Sequence, residues 1–358
     1  MRILYIITFA FCLTKGFSQS NSLPNDGRYV AAFTEFPLGA KALALGGAFT
    51  ALANDGSAFY WNPAGVALIE NKLLSGMYSS QYGSIGTPLA GYYFAGWTMP
   101  VKTIGLSINW MRFAVTDIPY YDDLSKIPTA YERYKRIKSS PPSETFSDNE
   151  DLFSLSFAKN LTPSLDFGWS VSRVPIEIPV GANLKIIRQS VADNNATAIG
   201  IDFGFIVKIN MQDIVLSDDW PIISGGVCIK DIGGSTLSWE QTKQEEEIRS
   251  VTNFGFSYQQ PLKQYELKII ASYDHSGFYG GENKFGIEAE YRKQFSFRFG
   301  LNSSTLAVGA GVNFNFFDVD YAYLAPSSNQ LGNVHRIGVS FNFDKLIENK
   351  KAQSVVNP

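Results

Sequence analysis

Apolar and polar residues alternate along most of this chain. In residues 283–293, NKFGIEAEYRK, the side chains of Phe285, Ile287, Ala289 and Tyr291 fall on one side, and Lys284, Glu288, Glu290 and Arg292 on the other. A period of two is that of a β-strand with two unlike faces. The pattern recurs with Ile104, Leu106, Ile108 and Trp110 in TIGLSINW, and with Ile199, Ile201, Phe203, Phe205 and Val207 in AIGIDFGFIVKI. It recurs again in TLAVGAGVNFNFF, where Leu306, Val308, Ala310, Val312 and Phe314 oppose Gly309, Gly311, Asn313 and Asn315. The last case, HRIGVSFNF, sets Ile337, Val339, Phe341 and Phe343 against Arg336, Ser340 and Asn342. About fourteen such segments are predicted, near residues 71–83, 87–101, 103–115, 150–160, 180–191, 196–210, 220–231, 248–260, 264–275, 283–293, 295–302, 305–316, 317–326 and 333–344. Many are long enough to cross a bilayer at a tilt, for which about ten residues suffice. Residues 164–176 fit a hairpin extension or a further short strand.

The connections are unequal. YGSIG, PVK and FNFFD read as tight turns, whereas Asp117 to Glu150 reads as a long polar loop rich in Pro, Tyr and charge, and DIGGSTLSWEQTKQEEEI as another. The run Glu245-Glu246-Glu247 is expected in a solvated loop. Tight turns at one end and long loops at the other are the pattern of an outer-membrane barrel. A soluble β-sandwich or propeller also alternates. Two features favour the membrane barrel. The apolar face is large, with aromatics such as Trp97, Trp110, Tyr291 and Phe343 near strand ends, as interfacial girdles require. The opposite face is small, polar and rich in Gly, which suits a crowded or watery lumen, where a solvated sheet would carry more Lys and Glu. The final strand, with Gly338, Phe341 and Phe343, matches the closing-strand signal that such barrels present to their assembly machinery. A tail, Asp344 to Pro358, follows it, where many barrels end at the aromatic.

Composition narrows the classes further. The 358 residues are 45% hydrophobic, 14% aromatic and 18% charged, with 31 Gly. A net charge of -3 leaves no basic footprint for nucleic acid. Met1-Arg2, the apolar run Ile3 to Leu13 and the small residues of Gly16-Phe17-Ser18 read as a secretory signal peptide, cut after Ser18; a short membrane anchor is the alternative, but the run is short for a span. Cys12 falls inside this leader, which leaves Cys228 alone and no internal disulfide. His275 and His335 belong to no metal-spaced cluster, and the adjacent Asp274-His275-Ser276 is no triad. No Gly-rich phosphate loop followed by Lys is present. Asp122-Asp123 and Asp148-Glu150-Asp151 suggest a calcium site or, as the plainer reading, solvated loops. No enzyme activity, metal or cofactor is expected.

Residues 39–67, GAKALALGGAFTALANDGSAFYWNPAGVA, do not alternate. Small residues dominate, and Gly46-Gly47 breaks the first half. Ala48 to Ala53 reads as a helical turn or two, stopped by Asn54-Asp55-Gly56. Ser57 is placed as the N-cap of a short helix through Trp61. Asn62-Pro63-Ala64-Gly65 fits a type I turn.

This segment resembles the N-terminal signature of the PorV/PorQ family of FadL-like outer-membrane β-barrel proteins, through Ser57-Ala58-Phe59-Tyr60-Trp61-Asn62-Pro63-Ala64-Gly65. The resemblance implies an all-β fold, a transmembrane antiparallel barrel of fourteen strands, with the segment folded inside the lumen as a plug or hatch. A barrel that wide left empty would leak. Ser57, Phe59, Tyr60, Trp61, Asn62, Pro63 and Gly65 would then seal it, the small residues packing close and the aromatics supplying bulk. The implied organisation is a signal peptide over 1–18, an N-terminal segment and hatch over 19–70, the barrel over 71–344 and a tail over 345–358. The resemblance also implies a role in type IX protein secretion, as a docking component for translocon subunits or cargo. The surface expected to dock them is the long loop with Tyr120, Tyr121, Tyr131 and Tyr134; a mobile lid is the plainer alternative for it. The other reading, from the wider FadL-like group, is passive transport of hydrophobic small molecules such as fatty acids or aromatics. Outer-membrane lipid and the barrel-assembly machinery are expected partners under both.

Overall fold

The computed structural model describes residues 30–84, 87–121, 124–166, 174–277, 281–303, 305–325 and 333–347. The leader over 1–18 and most of the tail lie outside them. The alternating segments become strands β1 Leu73–Ser84, β2 Thr87–Val101, β3 Ile104–Tyr120, β4 Glu144–Leu161, β5 Ser164–Leu165, β6 Val174–Val191, β7 Asn194–Asn210, β8 Ile222–Lys230, β9 Ser235–Trp239, β10 Glu245–Ile248, β11 Val251–Leu262, β12 Leu267–Ser276, β13 Glu282–Tyr291, β14 Phe295–Asn302, β15 Thr305–Phe314, β16 Phe317–Ala325 and β17 Val334–Asn342. Three are short pieces, β5, β9 and β10. The other fourteen form one antiparallel barrel. It closes where β1 pairs with β17, from Leu73 opposite Asn342 to Ser80 opposite His335.

Two adjacent wall strands are broken. β7 pairs with β8 at one end and with β9 at the other, so β8 and β9 are two parts of a single wall position. β11 and β10 continue it in the same way. The break at Asp231 to Gly234 uses positive φ at Asp231 (48°), Gly233 (79°) and Gly234 (83°). Such angles cannot continue a strand.

Alternation runs through much of the wall. β7 runs buried, exposed, buried over Ala196 to Ile206. The exposed positions are large and apolar, for example Ile108 at 63%, Ile199 at 64% and Phe297 at 66%. Apolar side chains out and polar side chains in is the inverse of a soluble protein, and it is what a hydrocarbon solvent selects.

The hairpin β3–β4 is longer than the sequence reading allowed. The expected loop from Asp117 to Glu150 is strand as far as Tyr120 and again from Glu144, with a bulge between Val115 and Ile118. Helix α3, Ala130–Ser139, caps it. The acidic run Glu245 to Glu247, expected in a loop, forms β10 instead, and Trp239 Nε1 donates to Glu246 Oε2 at 3.3 Å. These polar ends carry no apolar alternation, so their strand state left no signal. Asp148, Glu150 and Asp151 do not converge on a metal. Asp151 points outward to Arg112 (2.7 Å) while Glu150, on the other face of β4, accepts from Gln189. Among the described residues no His, Cys, Asp and Glu group is arranged to hold a metal ion.

Candidate functional site

The segment from Ala31 to Ile69 lies inside the barrel. It comprises a 3-10 turn Ala32–Glu35, helix α1 Ala40–Ala44, helix α2 Ala58–Trp61 and a 3-10 turn Pro63–Leu68. Helix α1 falls earlier than the one expected over Ala48 to Ala53, because Gly46 and Gly47 (φ 66° and 80°) end it and turns follow. Phe59, Tyr60, Trp61, Asn62, Pro63 and Gly65 are all buried, as is Ser57. Ser57 stands at the expected N-cap position of α2, but its side chain makes no capping bond. Its hydroxyl and its backbone N–H both donate to Asp55 Oδ1, at 2.6 and 2.8 Å. The turn at Asn62-Pro63-Ala64-Gly65 has the expected Gly65 N–H to Asn62 O bond, 2.9 Å. Asn62 Oδ1 also accepts from the Ala64 N–H at 3.1 Å.

The wall receives this segment through small lumen-facing residues. Gly105, Ala158, Gly181 and Gly204 are cross-strand neighbours in one unbroken row over β3, β4, β6 and β7. A Cβ on Gly181 would sit 2.5 Å from the Pro63 carbonyl, and one on Gly204 would sit 2.1 Å from Asn62 Oδ1. Next along the wall Gly226 pairs with Gly255 and meets Thr50, and farther round Gly286 pairs with Gly300 and meets Leu45. Glycine weakens a strand, so such rows mark close approach of another backbone.

Polar side chains then fasten the segment. Asn62 Nδ2 donates to Thr50 O (3.1 Å), to Phe205 O of β7 (3.1 Å) and to Val227 O of β8 (3.3 Å). Asp274 Oδ2, fully enclosed on β12, accepts from the Phe49 and Thr50 N–H groups at 3.0 and 2.8 Å. Asn183 Nδ2 on β6 donates to Phe59 O at 2.7 Å. Arg336 on β17 donates to Pro37 O and lies 5.3 Å from the Tyr92 ring centre. Trp61 Nε1 donates to Leu38 O at 2.9 Å. Tyr60 packs edge-on to Trp61 and takes the Lys230 ammonium 4.0 Å above its ring. Burial, and then the nearby Glu35, push the Tyr60 phenol well above its usual range.

An ionic cluster stands beside the wall break. Lys185 Nζ lies 2.8 Å from both Asp202 and Asp231, and the Asp231 N–H donates to Asp202 at 2.9 Å. Ser235 adds a bond to Asp231 at 2.8 Å. All four side chains are buried.

The lumen is not uniformly polar. Toward the end that bears the β3–β4 hairpin, β2, β3, β4, β6, β9 and β10 each turn apolar side chains inward. Tyr92, Met111, Phe113, Leu152, Ile187, Leu237 and Ile248 share one buried cluster with Phe33. Phe36 packs against it, 5.2 Å from the Phe113 ring.

The remaining expected residues lie elsewhere. Tyr120, Tyr131 and Tyr134 are exposed on the β3–β4 hairpin and α3, and Tyr121 is half-buried. Gly338, Phe341 and Phe343 sit at the closing strand: Gly338 faces α1 at Ala40, Phe341 is exposed on the outer wall, and Phe343 packs on Trp97 at 5.1 Å. The sequence reading missed Asp274, Asn183, Arg336 and the Lys185 cluster. Charged residues on the inward side of apolar strands were the available signal. Thr129-Ala130-Tyr131-Glu132 was a legible capping box for α3, with Thr129 accepting from the Glu132 N–H at 3.2 Å.

Residues 19–94 match the family model described as "Uncharacterised protein family (UPF0164)". No curated protein matches the chain. Among solved structures, the Pseudomonas putida toluene transporter TodX superposes with a TM-score of 0.52 at 9% identity, over 85% of this chain and 97% of that one. The TodX deltaS2S3 mutant monoaromatic hydrocarbon channel gives the same TM-score and identity over 85% and 98%. At this identity the likeness concerns the fold alone: the chain is a closed fourteen-stranded antiparallel β-barrel, as those channels are.

Proposed function

We propose that this barrel is a passive outer-membrane channel for hydrophobic small molecules. The observation that supports it most is the apolar cluster inside the lumen. A pore for polar solutes lines its lumen with polar groups. Here Met111, Phe113, Leu152 and Ile187 turn inward and pack against Phe36 of the enclosed segment. An apolar solute gains what those side chains gain by leaving water, about 25 cal/mol per Å². Capture at the hairpin end, displacement of the enclosed segment and release toward the membrane form the route. The fold shared with a barrel named as a toluene transporter supports the same reading. The chain would reach its site by a cleaved leader and the barrel-assembly machinery.

Vesicles containing the purified protein test it. A small aromatic such as toluene should equilibrate faster than across protein-free vesicles, while a sugar of similar size should not. Rapid sugar entry with unchanged aromatic flux would reverse the reading. A docking role in type IX secretion, on the PorV/PorQ resemblance, is the second reading. Tyr131, 73% exposed on an unpacked helix, favours it. Affinity capture that recovers no secretion subunit or cargo from native membranes would remove it.

A further inference from the structure

The outer wall has a concavity where a barrel should be convex. It spans β2, β3, β4, β6 and β7, is open to the outside, has a volume of about 610 Å³ and is lined almost wholly by apolar groups. That volume lies within the roughly 300–1,000 Å³ range of small-molecule sites. Its origin is legible in the register. Leu106, Phe157, Ala182 and Phe203 are successive cross-strand neighbours on the outward face. Ala182 is the one small residue in that row. The adjacent row, Ile108, Leu155, Leu184 and Ile201, is large throughout and walls the hollow on one side.

We propose that this groove is a fixed binding site for one acyl chain of a bilayer lipid. Its rim is the exposed apolar band itself, with Ile108 63% and Phe157 54% exposed, so the groove is continuous with the surface that meets lipid tails. Its polar lining residues, Ser107, Ser156 and Asn183, are buried residues of the inward face and leave no polar group to seat a headgroup. An empty apolar hollow beside hydrocarbon forfeits dispersion contacts on every side, and a tail restores them.

The site is coupled to the lumen through one residue. Asn183 lines the groove and also a small polar pocket on the other side of the wall, with Tyr60, Lys185 and Lys230. Its amide holds Phe59 O. A chain seated outside therefore braces the strands that carry the enclosed segment. This site needs only that the exterior faces a bilayer, so it stands or falls separately from the transport reading.

The test is photo-crosslinking in nanodiscs of phosphatidylethanolamine that carries a diazirine on one acyl chain, with adducts mapped by mass spectrometry. Residues 104–110, 153–158 and 180–187 should be labelled several-fold more than residues 295–301, which expose Phe297 and Phe299 to the same solvent. Ala182→Phe, which fills the hollow, should bring the two regions to parity, with barrel assembly checked by heat-modifiable migration on gels. Equal labelling in the wild type would overturn the site without any variant. An excess that persists in Ala182→Phe or the milder Ala182→Leu would overturn its location.

Discussion

Gly181 and Gly225 are both strand glycines, yet they predict opposite results. A Cβ at Gly181 meets the Pro63 carbonyl at 2.5 Å, whereas one at Gly225 meets nothing within 4 Å. Gly181→Ala should therefore cost about 1–3 kcal/mol by overpacking. Gly225→Ala should be neutral, or gain a little from reduced backbone freedom. Urea titration of the refolded barrel in vesicles separates them; equal midpoints would mean that the segment does not rest on the wall. Asn62 gives a second prediction. Asn62→Ala removes three donations, to the carbonyls of Thr50, Phe205 and Val227, and the bond to the Ala64 N–H. Each lost hydrogen bond costs about 0.5–1.5 kcal/mol. The expected outcome is a barrel that still migrates as folded but whose enclosed segment is cut by protease. Neither effect was visible in the sequence. A glycine in an alternating strand looks the same whether it faces lipid, water or another backbone, and only the register shows that Gly105, Ala158, Gly181 and Gly204 adjoin.

At the scale of elements, strands in contact with hydrocarbon were the legible part. Lipid outside and backbone or polar groups inside force the period of two, so Ile199 to Val207 announced β7. Where a strand rises past the lipid band, as in β3 beyond Val115 or throughout β10, nothing enforces the pattern and the reading failed. The break at Asp231 to Gly234 was hidden for a different reason: DIGG looks like any loop, and what holds it, Lys185, is 46 residues away in sequence. Lys185→Met leaves Asp202 and Asp231 as a buried like-charged pair. Removing one partner of such a cluster costs about 3–5 kcal/mol. Hydrogen exchange should show β8, β9 and the facing part of β7 losing protection first, with β13 to β15 unchanged. The enclosed segment is itself an element with a test. Excision of Ser57 to Gly65 removes both the Asn62 bonds and the aromatic bulk. Planar-bilayer recordings should then show a conductance absent from the full chain. Failure to assemble, with no conductance, would mean that the segment serves folding rather than closure.

For the whole molecule the governing question is which solvent surrounds the wall, and one class of substitution answers it by sign. Ile199 is 64% exposed and opposes Ile186, itself 42% exposed, on the outer face of β6 and β7. If water surrounded this face, Ile199→Lys would relieve an exposed apolar patch and change stability by no more than about 0.5 kcal/mol. If hydrocarbon surrounds it, the same change places an ammonium in the bilayer and costs about 2–4 kcal/mol near the midplane. Tyr131→Lys on α3 is the control, because that side chain projects from the hairpin cap and is 73% exposed. Folding titrations into phosphatidylcholine vesicles should find Ile199→Lys strongly destabilised and Tyr131→Lys unchanged. The inside-out arrangement predicts more than the cost. A shorter-chain lipid thins the hydrocarbon and brings the ammonium nearer to water. The penalty at Ile199 should therefore shrink in thin vesicles, whereas a loss caused by packing alone would stay the same at every thickness.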